Sequence, residues 1–351
     1  MALSRRVLVL ALCFLLICSL PTASAFADGL NLLRTDKEAV IYIEDYANSI
    51  SNSDVKYHIE SKQLINAFTK EKSYALYTFL PSGYAIYDEK SGVIEEMSLE
   101  AEDPFEKFLN AERYYGGPMN YIAKIGNHFY LGDQRIKLSL ADVRILTEKE
   151  QKTVESRTKI RAGSPVTYDF FLSSSSYFTT LLGNKFPDNT TGVCTQVACA
   201  IMLGYYNYTF HTVFVPSAYE DGVGTTHSFL SFLQIFMGTA SSGLQNAANG
   251  LDSYFSYIGL LGPSANCDIS NYSAVFNRVA QRVGQNKPTI IAMFSSMGAP
   301  YNHSVVAYGY RMELVNNRMS SASLFVHNGW KNNKLGVYSW DWFADSLYIS
   351  H

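Results

Sequence analysis

One compact apolar helix followed by a series of strand-like runs dictates much of what the second half of this chain can become. Residues 193–206 are almost continuously apolar and follow the polar Thr190-Thr191-Gly192, which is where a helix would start. The runs 288–294, 303–309, 323–327 and 336–340 read as strands. Helix ahead of a block of strands implies an α+β fold. With 47% apolar residues among 351, the chain can bury a sizeable core and is not a disordered polymer.

The first half has its own pattern. Ala39, Ile43, Tyr46 and Ile50 recur at helical spacing within residues 37–50. Residues 74–79, 83–88 and 92–97 then read as three strands joined by turn sequences, one of them Pro81-Ser82-Gly83, giving an antiparallel meander. Residues 104–114 suggest another short helix. Residues 146–161 are polar and basic and lead into Gly163-Ser164-Pro165, the best linker candidate and a suitable place for proteolysis. The expected division is a leader over 1–25, a small α+β domain over 26–161 and a larger domain over 162–351.

The leader has the features of a signal peptide: Arg5 and Arg6, an apolar run over 7–20, Pro21, and small residues at Ala23-Ser24-Ala25. Cleavage after Ala25 would leave a secreted protein without stable membrane insertion, because the apolar run falls short of the ~20 residues a comfortable span needs. The net charge of -3 and the lack of a Lys/Arg block exclude electrostatic docking on nucleic acid. Cys13 and Cys18 would leave with the leader, so Cys194, Cys199 and Cys267 remain. That odd number cannot make a full disulfide framework and keeps at least one thiol.

Cys194 opens the apolar helix, where backbone amides and the helix dipole favour a thiolate and could stabilise an oxyanion. His303 follows the turn-rich stretch 298–302 and opens an apolar strand; an imidazole needs no pKa shift to act as a base near neutral pH. Asn328 ends another strand, followed by Gly329 and Trp330. Its side-chain oxygen could fix the His ring, and the indole could shield that bond. Taken singly, these are an ordinary buried Cys, a strand-edge His and an Asn-Gly turn. Taken together, they run Cys, then His about a hundred residues later, then Asn. His327 is the competing imidazole and should face away from Asn328 by strand alternation. Cys199 lies about 140° around the helix from Cys194 and should face the core. Cys267 receives no role. His211 and His227 are isolated, no His or Cys pair has metal-ligand spacing, and no cofactor is expected.

The run from Thr191 to Tyr206, with Gly192, Cys194, Ala200, Ile201 and Met202, resembles the nucleophile helix of papain-like cysteine peptidases of the C39-like and streptopain-like branches. The run from His303 to Tyr310 resembles their His strand, and Val326-His327-Asn328-Gly329-Trp330 resembles the strand with their third residue and tryptophan. The meander at 82–97 looks like a streptopain-type prodomain. The resemblance implies a secreted cysteine endopeptidase made as a proenzyme, with Cys194, His303 and Asn328 as its site and Trp330 as its shield. Its partners would be a peptide or protein substrate and its own prodomain. Two departures stand out. The family's oxyanion Gln is absent, since no Gln lies between Gln151 and Cys194, and Asn184 or Asn189 is the available amide donor. Lys331-Asn332-Asn333 also replaces a Gly-rich run. An inactive binding protein on the same scaffold and a cell-wall peptide amidase remain the alternatives. Asn302 belongs to an N-x-S sequon beside His303, where a glycan would block the site, so export without N-glycosylation, as in a bacterium, fits best.

Overall fold

The structure is a computed structural model describing residues 34–51, 54–108, 111–132, 136–156, 166–189, 192–239, 243–269, 272–293 and 303–350. The expected leader with its expected cleavage position, the basic residues Arg157, Lys159 and Arg161, and Asn302 lie outside the described residues.

Helix α1 (Asp36–Ile50) starts at a capping box. Thr35 Oγ1 accepts from the Glu38 amide at 3.4 Å, and Glu38 accepts from the Thr35 amide at 2.8 Å. Strands β1 (His58–Ile65), β2 (Tyr74–Leu80), β3 (Tyr84–Asp88) and β4 (Val93–Ser98) pair antiparallel in that order. The expected meander is β2–β4. Strand β1 escaped notice because it is an edge strand of mainly exposed polar residues, with little apolar alternation to read. A second, four-stranded sheet follows: β5 (Glu112–Tyr115), β6 (Tyr121–Ile125), β7 (His128–Leu131) and β8 (Ile136–Lys137).

Two expectations are corrected here. Residues 104–114 do not form a helix of their own. Phe105 and Phe108 anchor a single 3-10 turn, Glu106–Phe108, and residues 112–115 form β5, which pairs with β6. Residues 146–156 are not linker but the greater part of helix α2 (Leu140–Ser156). Its buried face carries Leu146, Lys149, Glu150 and Thr153, a helical spacing whose polar members hid it. Those polar groups are held by partners. Glu150 accepts from the Thr69 amide at 2.6 Å, and Lys149 donates to the Met293 carbonyl at 3.3 Å over the ring of Tyr272.

After β9 (Val166–Phe171) come α3 (Cys194–Phe210), the short pair β10 (Glu220–Asp221) and β11 (Gly224–Thr225), then α4 (His227–Met237) and α5 (Leu244–Tyr257). Next follow β12 (Ser264–Ile269), α6 (Tyr272–Gly284), β13 (Thr289–Ala292), β14 (Ser304–Val315), β15 (Arg318–Trp330), β16 (Asn333–Ser339) and β17 (Asp345–Ser350). The architecture is α+β with a large antiparallel sheet. Eleven strands form it in the order β1-β2-β3-β4-β16-β15-β14-β13-β17-β12, with β9 continuing along the β14 edge that β13 leaves. The N-terminal meander therefore joins the C-terminal strands directly: Met97 pairs with Val337 and Glu96 with Tyr338. A single apolar core runs through both parts.

Helix α3 packs on β13, β14 and β15, and Gly329 lets it approach. Gly329 sits at φ +75°, and a Cβ there would lie 2.8 Å from Val197 Cγ1 of the helix.

Candidate active site

Cys194 is the first residue of α3, and the first helical bond runs from the Val197 amide to the Val193 carbonyl. The amides of residues 194–196 thus precede the helical ladder and gather at this end. The thiol is only 4% exposed. Burial pushes its pKa up, the reverse of the lowering expected from the helix start. Hydrogen bonds from the amides and hydroxyls of Ser304 and Thr195 to the sulfur pull it back down, but less strongly than burial raises it. A helix start lowers the pKa of a thiol that water reaches; here desolvation dominates.

The same contacts bring the second motif to the thiol. Ser304 begins β14, its hydroxyl lies 2.9 Å from that of Thr195, and the residue before it is His303. Ser304, the residue directly after His303, therefore lies at the thiol. The imidazole is 8% exposed, and burial holds its pKa down at about 4, so the ring is neutral near pH 7. Its Nε2 has no hydrogen-bond partner among the described residues. The His303 carbonyl accepts from the Met293 amide at 3.3 Å, which ties this end of β14 to the end of β13. In this arrangement both groups are neutral, since a thiolate–imidazolium pair would place two charges in a desolvated site.

Asn328 is fully buried on β15, but its amide is engaged elsewhere. Its Oδ1 accepts from Tyr338 at 2.8 Å, and its Nδ2 donates to Asn333 Oδ1 at 3.4 Å. Asn333 in turn accepts from Ser98 at 3.0 Å and donates to the Met119 sulfur at 3.5 Å. A chain of polar contacts thus links Asn328 to the N-terminal region. His327 takes the other face of the strand. Its ring meets Phe186 edge-on at 4.7 Å, and its Nδ1 accepts from the Gly329 amide at 3.2 Å. Burial holds its pKa down at about 3. His327 is thus a neutral ring in an aromatic pocket. Trp330 is half-buried, and its indole N–H has no partner among the described residues.

The two candidates for an oxyanion donor separate. Asn184 is exposed. Asn189 is 2% exposed, its amide donates to the Gly329 carbonyl at 3.1 Å, and its side-chain Oδ1 is buried without a partner. The Lys331 amide donates to Asp188 at 3.1 Å, so residues 188–189 are laced to the end of β15 beside the start of α3. Gln196 donates its side-chain amide to the Gly238 carbonyl at 2.9 Å. Cys199 is wholly buried and burial pushes its thiol far up; Cys267 on β12 is pushed up to about 12, first by burial. None of the described cysteines is in a disulfide.

Ser304, Thr195, Met293 and Tyr338 are the site residues that motif reading missed. Ser304 and Thr195 adjoin His303 and Cys194 in the chain and could have been inferred. Met293 and Tyr338 reach the site through strand pairing and leave no local signal. Among the described residues no group of three or more His, Cys, Asp or Glu could hold a metal ion. No protein-family profile, no curated protein and no solved structure matches this chain.

Proposed function

We propose that this chain is a secreted cysteine endopeptidase of papain-like fold, made as a latent proenzyme. The observation that carries this reading is the meeting of the start of α3 with the start of β14, where the hydroxyl of Thr195, next to Cys194, lies 2.9 Å from that of Ser304, next to His303. In the open enzyme His303 takes the thiol proton and the sulfur attacks a peptide carbonyl. The carbonyl oxygen, now negative, is met by the amides at the start of α3 and by the side-chain amide of Asn189. His303 then returns the proton to the departing amine, and water activated at the same ring releases the acyl group. The burial of thiol and imidazole, and the engagement of Asn328 with Tyr338, support a closed form in which this sequence cannot begin.

The test is hydrolysis of casein, and labelling by a peptide-like electrophile, by the C-terminal part after limited proteolysis and separation of the N-terminal chain. Cys194→Ala should abolish both, while Cys199→Ala and Cys267→Ala should retain most activity. Comparable turnover by Cys194→Ala would end the peptidase reading. One observation favours a non-catalytic binding protein: the Asn328 amide is already spent on Tyr338 and Asn333. That second reading requires Cys194 to stay unlabelled after the N-terminal chain has been cut off and separated.

A further inference from the structure

The N-terminal region is joined to the rest of the chain at three separate places. At the first, β4 adds to the free edge of β16, and Glu95 and Ser98 reach across it. Trp342 Nε1 donates to Glu95 at 2.8 Å, and Ser98 donates to Asn333 at 3.0 Å. Trp342 is completely buried, with Tyr115 edge-on at 5.8 Å. Gly117, at φ +102°, lies so close that a Cβ there would sit 2.6 Å from the indole. At the second place α1 lies against β14. Tyr42 donates to Glu313 at 3.0 Å, and Arg311, paired with Asp169, donates to Ser49 at 2.9 Å over the ring of Tyr46. At the third, Lys149 of α2 and Asn120 both reach Met293, whose amide holds the His303 carbonyl.

Each region lacks something by itself. Without the N-terminal strands, β16 would be a bare edge and Trp342 an apolar ring exposed to water without its Glu95 acceptor. Without the C-terminal strands, Glu95 would lose the donor that shares it with Lys72, which lies 2.9 Å away in the meander. A tether adds effective concentration to such an interface, but its contacts do not depend on the tether. We propose that residues 34–156 remain bound as a second chain after the covalent link is cut, and that cutting alone does not uncover Cys194. The association holds whether or not the chain is a peptidase; the second clause rests on the peptidase reading, in which a separate step must displace the N-terminal chain.

The experiment uses the full secreted chain with the recognition sequence of a site-specific protease placed between residues 157 and 165. After complete cutting, the two fragments should co-elute on size exclusion in native buffer and part only in denaturant. Iodoacetamide should label Cys194 in the cut complex no faster than in the uncut chain. Trp342→Phe keeps a ring in place and deletes the N–H, and should lower the denaturant concentration at which the cut chains separate. Two peaks in native buffer would overturn the association. Co-elution with a jump in Cys194 labelling would overturn the covering role. Neither readout requires turnover, so failure of the peptidase reading would show separately, as an electrophile-inert Cys194 in the separated C-terminal fragment.

Discussion

Replacing Glu96 with Gln should remove one buried carboxyl's share of the pH dependence of stability. Glu96 is fully buried on β4. It accepts from Tyr84 at 2.8 Å, from Tyr121 at 2.6 Å and from the Met119 amide at 3.2 Å. Burial raises its pKa from the ordinary 4.5 to about 7, and these hydrogen bonds only partly oppose the rise. The folded chain thus keeps a proton that the unfolded chain releases at 4.5. The stability Glu96 allows is intact below 4.5 and is lost as pH rises through about 7. At about 1.4 kcal/mol per pH unit, the loss is roughly 3 kcal/mol by pH 8. Gln carries no such penalty, although turning an NH2 toward the Met119 amide adds a constant cost of about 1–3 kcal/mol. The slope is therefore the readout. Glu150, Lys149 and the buried histidines titrate alike in both proteins and cancel in the difference. Urea unfolding from pH 5 to pH 8.5 should show Glu96→Gln gaining on the wild type by roughly 2.5 kcal/mol across that range. Parallel profiles, or a gap that widens toward acid, would refute the reasoning.

Gly329→Ala should cost roughly 2–4 kcal/mol, from a left-handed backbone and a methyl driven against Val197, seen as a lower urea midpoint. On the peptidase reading, with the N-terminal chain cut off and separated, Asn189→Ala should lower kcat about 10²–10³-fold with little change in KM, while exposed Asn184→Ala should leave both unchanged. His303 stabilises the fold in its neutral form, fully above its ordinary 6.5 and progressively less as pH falls through about 4. The wild type should accordingly lose roughly 3 kcal/mol relative to His303→Asn between those limits, measured by urea unfolding.

Much of the site was legible in short stretches of sequence. The helix that starts at Cys194 and the strand that follows His303 announce themselves by unbroken apolar runs between polar turns. Their ends fall where the motifs change character. Strand alternation places His327 and Asn328 on opposite faces, and they contact different elements, Phe186 and Tyr338. Helix α2 was hidden because its buried face holds Lys149, Glu150 and Thr153, whose partners Met293 and Thr69 lie far away in the chain. A buried polar group is recognisable only with its partner in view.

The sequence by itself determined the α+β class, the three central strands of the N-terminal meander, the helix and strands that present the candidate residues, and the inward orientation of Cys199. These depend on residues a few positions apart, where periodicity and turn chemistry act. Only the tertiary structure decided that β4 pairs with β16, that Asn328 binds Tyr338, that Asn189 rather than Asn184 is buried, and that Cys194 is raised rather than lowered in pKa. Strand pairing between residues more than two hundred positions apart leaves no local pattern. The thiol's charge state follows from how much water the assembled sheet and helix exclude, and no single segment carries that quantity.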